Sequence, residues 1–346
     1  MFKQFTSFLV LFLSITVFIS CSSDDSDNQV TNDDPPIDNN VSLATNGCLN
    51  VVIFNDFAYA ACGGEIEIVN LNTLERNLLN ISADDITVDT STEQLFTQTG
   101  SLLQVLNLDN PMQPNVVATT NTNFNIFSGL SAANGILVVS GGSTNSDTQI
   151  YNYTASSISL VTDGIPVVDN ITGNPDVHVT ATANGAKAFY SQDIGQVANW
   201  AIQIVEFDVS GQVLATPQAV VLTPRQYTGT FQSPVGPANF PIESEFLDNQ
   251  LYVASFAARG VEVIDLDNNN ALSLIPLPYE PINIGTDGTS LFVIGLTNDD
   301  VDIIDPSTAT VTGSLQATLT QPTGVAASLT HIAIADRTEG LVIITR

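Results

Sequence analysis

The chain ends on "EGLVIITR", residues 339–346. This is an apolar strand with nothing after it, and a strand so hydrophobic needs a neighbour on both sides or it leaves an adhesive edge. Its last six residues follow a pattern: apolar, any residue, apolar, apolar, usually Asp or Asn, usually apolar. The pattern also occurs as "IEIVNL" from Ile66, "LQVLNL" from Leu103, "TQIYNY" from Thr148, "IQIVEF" from Ile202, "VEVIDL" from Val261 and "VDIIDP" from Val301. Seven copies result, and the last three start 40 residues apart. Periods of about 40 to 45 residues with several strands each belong to propeller blades.

Each copy is the third strand of a blade. A turn and a second apolar strand precede most copies, as in "NDFAYAACG" (55–63), "ANGILVVSG" (133–141), "DNQLYVASF" (248–256) and "DGTSLFVIGL" (287–296). Asn and Gly in these turns tolerate positive φ. A fourth strand follows, as in "ALSLIPLP" (271–278), and then the first strand of the next blade, as in "PINIGT" (281–286). No stretch carries a sustained helical period, which excludes a doubly wound α/β fold. The reading is an all-β, seven-bladed propeller of four-stranded blades over residues 41–346. The last blade has three strands of its own. "NNVSLATNG" (39–47) matches the register of the fourth strands and is expected to close the ring against "GLVIIT".

From Leu251 to Arg346 the chain resembles YVTN-type bacterial propeller repeats. The likeness rests on "LYVASFAARGVEVIDLDNNNALSLIPLPYEPINIGTDGTSLFVI" and "DIIDPSTATVTGSLQATLTQPTGVAAS". It implies a seven-bladed ring in an exported protein and no single activity, because propellers host many.

Composition and leader set the address. The 346 residues hold 36 acids against 7 bases, a formal net charge of -29. Such a surface repels phosphate backbones and anionic headgroups, so neither nucleic acid nor electrostatic membrane binding is expected. Residues 1–20 form a signal peptide: one Lys, then an apolar run from Phe8 to Ile19 that is short for a membrane span. "FISC" resembles a bacterial lipobox, with Cys21 the acylated residue. An ordinary secretory signal with an incidental Cys is the alternative. Residues 21–40, "CSSDDSDNQVTNDDPPIDNN", are too polar for a core and read as an acidic tether. The start of the tether also looks like an export tag for the outer face of the outer membrane. The membrane is then met through the lipid anchor alone. Cys48 and Cys62 bracket a hairpin and invite a disulfide in an exported chain, with two buried thiols the alternative.

Candidate sites come from loops and scarce residues. The catalytic inventory is thin: two histidines, no nucleophile elbow, no zinc motif, no phosphate loop. No metal site and no cofactor are expected. The long insertions are 140–147, 162–176, 191–201 and 223–244, all assigned to one face, the top, where function concentrates on propellers. These insertions carry Trp200, Arg225, Tyr227, Phe231 and Phe240. Arg259 and Arg337 fall in equivalent connections of blades 5 and 7, and His178 opens an innermost strand facing the channel. Aromatics offer contact area and arginine holds carboxylates in a fork. The reading is a monomeric binding module for an envelope protein or a glycan. The rival is a hydrolase, lyase or lactonase in the top funnel using Asp176, Asp193, Glu243 and Glu245 beside His178. A cluster of acids with shifted pKa around the axis would favour the enzyme.

Overall fold

The computed structural model describes residues 37–38, 42–123, 127–141, 147–163, 176–193, 200–222 and 243–346. The expected signal peptide, Cys21, most of the expected tether, Arg225, Tyr227, Phe231 and Phe240 lie outside the described residues. Seven four-stranded antiparallel sheets form, six of them sequential up-and-down meanders and the seventh completed by a strand from the N-terminal side. Every innermost strand packs against the innermost strands of both neighbouring blades, and that of blade 7 lies against that of blade 1. The sheets therefore close into a seven-bladed ring. Among the described residues no helix is long and apolar enough to cross a membrane.

The core is divided as the blades are. Seven apolar clusters fill the seven inter-blade spaces. Between blades 1 and 2, for example, Tyr59, Ile66 and Ile68 pack on Ile86, Leu95 and Leu106. Alternate residues of each strand face opposite neighbours, so both faces of a blade are apolar and the strands read as continuous hydrophobic runs. The short turns behave as expected: Asn134 and Gly135 hold φ of 52° and 81°, as do Asp248 and Asn249 at 51° and 59°.

Two positions of the repeat acquire physical meaning. The Asp or Asn in fifth place starts the turn to the outermost strand. Asn70 Oδ1 accepts the amide of Asn72 at 3.0 Å, Asp265 that of Asp267 at 3.1 Å and Asp305 that of Ser307 at 2.8 Å, each an Asx turn. The second place, open to any residue in the sequence pattern, is polar in six blades: Glu67, Gln104, Gln149, Gln203, Glu262 and Asp302. Five of these six are buried. Among the described residues, in three blades the side chain binds the connection that enters the blade. Leu43 N–H donates to Glu67 at 3.0 Å, Asn123 N–H to Gln149 at 3.2 Å and the Tyr279 hydroxyl to Asp302 at 2.9 Å. Blade 7, where the chain ends, has Val342 in this place.

The missing neighbour of "GLVIIT" is an N-terminal strand, as expected, but one that begins before 39–47 and does not run through it. Ile37–Asp38 pairs antiparallel with Gly340–Thr345, Ile37 opposite Ile344 and Asp38 opposite Ile343. Residues 43–46 bend instead. Glu67 collects the Ser42 hydroxyl and the amides of Leu43 and Ala44, which an extended strand would point to alternate sides. Cys48 and Cys62 are disulfide-bonded.

Candidate functional site

Because each innermost strand is entered from the outermost strand of the previous blade, all innermost strands start at the same end of the ring. This is the top, and the channel they line has a volume of about 630 Å³. Polar residues gather where those strands begin. Blade 1 contributes Asn50, blade 2 Asp85, blade 4 Asp176 and blade 5 Glu243, each the first residue of an innermost strand or the one just before it. One pleat further down, on the same side of their strands, stand His178 and Glu245.

Local backbone geometry holds these groups. Ile86 N–H donates to Asp85 Oδ1 at 2.8 Å, and the Asn50 amide donates to the same oxygen. Asp176 accepts from Val177 N–H, and Glu245 from Phe246 N–H. Asp176 N–H donates to Ser191 Oγ at 3.0 Å, which fixes the start of its strand. Asp176 and Glu243 hydrogen-bond to each other through their side chains. The His178 ring is hydrogen-bonded to the Ser244 backbone.

Burial sets the protonation. The four carboxyls are half-buried, facing the channel rather than bulk water. Desolvation raises Asp85 to about 7 and Glu245 to about 8, with the charge of Glu243 adding to the latter. Desolvation, then repulsion from neighbouring carboxylates, pushes Asp176 and Glu243 well above the usual carboxylate range. Like charges that share a poorly hydrated site cannot all ionise, so protons are retained. His178 moves the other way, to about 4, because burial disfavours its cation. At neutral pH the mouth thus holds a neutral imidazole and a partly protonated set of carboxyls.

The arrangement can accept a cation from outside, exchange protons, or polarise a bound group. Among the described residues the ligand atoms close enough for a three-ligand metal site are those of Cys48, Cys62 and Glu67, where the sulfurs are already bonded to each other. The channel carboxyls do not converge that tightly.

The candidates read from the sequence are spread around the ring. His178, Asp176, Glu243 and Glu245 line the channel. Trp200 begins the third strand of blade 4, its backbone paired with Asp193 away from the channel wall. Arg259 sits on the top connection of blade 5 and forms an ion pair with Glu280 at 3.1 Å and a hydrogen bond to the Pro278 carbonyl. Arg337 occupies the equivalent connection of blade 7, its N–H donating to the Gln321 carbonyl. Asp85 and Asn50 were missed. Aligning the starts of the innermost strands, "NVVIF", "DITVD", "DVHVT" and "ESEFL", puts both in the same column as Asp176 and Glu243.

Comparison with known proteins supports the fold alone. No protein-family model matches the chain, and no curated protein matches it in sequence. Solved structures do match in shape. A chain of the mitotic checkpoint complex aligns with TM-score 0.66 and 10% identity, covering 97% of this chain and 99% of that one. The RRP9 WD40 repeats align with TM-score 0.64 and 8% identity over 90% and 97%. A chain of hydrazine synthase from Kuenenia stuttgartiensis aligns with TM-score 0.62 and 11% identity over 87% and 96%. The chain is similar to these structures as a seven-bladed β-propeller.

Proposed function

We propose that this protein is an exported, lipid-anchored binding module that captures a protein partner at the top of its ring. The channel mouth takes a basic group of that partner. The observation that carries this reading is the convergence of Asp85, Asp176, Glu243 and Glu245 on one end of a channel of about 630 Å³. A lysine or arginine side chain entering there relieves the repulsion that keeps these carboxyls protonated, and binding releases protons. The leader and Cys21 support export and anchoring, and the acidic start of the tether supports display on the outer face. Ile37 lies opposite Ile344, at the end of blade 7 away from the mouth. The structural neighbours include a propeller in a multiprotein complex, which fits a protein partner better than a glycan.

The test is capture from a cell-envelope extract on immobilised protein, with mass spectrometry of what is retained. Loss of a buried anchor costs roughly 2 kcal/mol or more, about thirtyfold in affinity. The pair Asp176→Asn and Glu243→Gln should therefore release the retained protein without lowering the melting temperature. Equal retention by that variant overturns the reading. Cys21→Ala should abolish fatty-acid labelling of the chain.

One observation favours a second reading. A carboxyl hydrogen-bonded to a carboxylate beside a neutral imidazole is equipped for general acid–base work. A hydrolase or lactonase would show turnover of chromogenic ester or lactone substrates that disappears in both Asp176→Asn and Glu243→Gln.

A further inference from the structure

The ring is continuous in sequence everywhere except inside blade 7. There the strand Gly340–Thr345 ends the chain, and its outer neighbour Ile37–Asp38 arrives from the other terminus. Among the described residues two pairs join them, against pairing from Asp300–Gln316 to Asp305–Thr310 at the same place in blade 6. So short a pairing is marginal by itself. The segment that follows must hold the ring.

That segment, residues 42–48, is gripped from both sides. On the blade 1 side the carboxylate of Glu67 is fully buried. It accepts from the Ser42 hydroxyl, from Leu43 N–H at 3.0 Å, from Ala44 N–H at 3.3 Å and from Arg76 Nη1 at 2.9 Å. Asn46 Nδ2 donates to the Gly63 carbonyl at 2.9 Å, and the Thr45 hydroxyl reaches Glu65 at 3.2 Å. On the blade 7 side the segment lies close against the backbone of that blade. A Cβ at Gly47 would stand 1.8 Å from the Arg337 carbonyl oxygen, and one at Gly340 would stand 2.1 Å from Ser42 Cβ. Cys48 N–H donates to the Asp336 carbonyl at 3.0 Å, and the Thr323 hydroxyl donates to the Cys48 carbonyl at 3.0 Å.

The disulfide sits at the centre of this grip. Cys48 ends the segment, and Cys62 begins the turn that carries Gly63 and Glu65 and leads to Glu67. Both cysteines are fully buried in the apolar cluster that joins blades 7 and 1, with Ala333, Ala335, Leu341 and Ile343. The bond makes the segment and its receiving turn one unit.

We propose that the Cys48–Cys62 disulfide is a redox lock on ring closure, so that its reduction frees blade 7 before any other blade. The reductant is a dithiol. Its thiolate attacks one sulfur and displaces the other cysteine as thiolate. Its second thiol then resolves the mixed disulfide, so that two electrons and two protons pass to Cys48 and Cys62 and the dithiol is oxidised. Because both sulfurs are buried, attack requires the seam to open first. The rate of reduction is therefore a readout of closure.

Two measurements on the whole chain test this. Hydrogen exchange, followed by mass spectrometry, should accelerate about tenfold in residues 322–327 and 340–345 of the double variant Cys48→Ala, Cys62→Ala, with blades 5 and 6 unchanged. Acceleration confined to residues 50–61, acceleration in all blades alike, or none would overturn the lock. Ser42→Ala keeps the disulfide and removes one donor to Glu67, so it serves if the cysteine variant does not fold. Native-state reduction by dithiothreitol should run several-fold faster in Ser42→Ala than in the parent chain. Equal rates would show that closure does not depend on the grip.

Discussion

Glu67 and Glu243 are both glutamates held out of bulk water, one in blade 1 and one in blade 5, and they are solved in opposite ways. Glu67 is surrounded by donors: a hydroxyl, two amides and a guanidinium. Glu243 faces Asp176 and Asp85, and its neighbours are carboxyls like itself. The first arrangement satisfies a charge and fixes the chain around it. The second leaves charge unsatisfied, held back by protonation, at a place where something else can enter. A buried acid inside a blade is architecture, whereas acids that meet on the axis are held ready for a ligand.

The contrast is sharpest in stability. Glu67→Leu should destabilise the fold by roughly 3–5 kcal/mol, because Arg76 is left buried without its counter-charge. Thermal or urea unfolding measures this, and adding Arg76→Leu should recover part of the loss. A cost below about 1 kcal/mol for the single change would mean that the grip on residues 42–44 contributes little.

In the channel the sign reverses and depends on pH. Acids raised in the folded state add stability that is complete below their unfolded values near 4. That stability is lost as pH rises through the folded values of about 7 for Asp85 and about 8 for Glu245. The combination of Asp176→Asn with Glu243→Gln removes two such groups. It should match the parent chain near pH 4 and exceed it by about 1–2 kcal/mol at pH 8, after allowing for water in the channel. Variant and parent curves that stay parallel from pH 4 to 8 would place the mouth on the same footing as the blade interior.

The smallest effect belongs to the rim. The Arg259 side chain is 57% exposed beside Glu280, so Arg259→Ala should change stability by less than about 1 kcal/mol. A larger loss would show that blade 5 depends on its top connection as blade 1 depends on Glu67.

The ring was legible in the sequence because its third strands carry four apolar positions at fixed places, and its turns carry Asn, Asp and Gly where positive φ is required. The paired cysteines were equally readable. The closing strand was not placed correctly, because Ile37–Asp38 sits between two prolines and two asparagines and shows no alternation. The polar second position of the pattern was visible but looked permissive, since Glu, Gln and Asp share only an ability to accept hydrogen bonds. At the mouth Asp176, Glu243, Glu245 and His178 could be named from their strand starts. Asp85 follows Asp84, and sequence alone does not say which of two adjacent acids faces the axis. Asp84 is the exposed one, held by Thr99 and Gly100.

The side-by-side termini of blade 7 carry a last consequence. With Ile37 opposite Ile344, Arg346 stands within a short hairpin's reach of the start of the closing strand. A linker of about two to four residues is enough for such a hairpin. The chain could then be joined there and reopened at another short turn, such as Asn134–Gly135, giving a circular permutant with every blade intact. Where the polypeptide begins would become a matter of choice, and with it the blade from which the whole ring hangs.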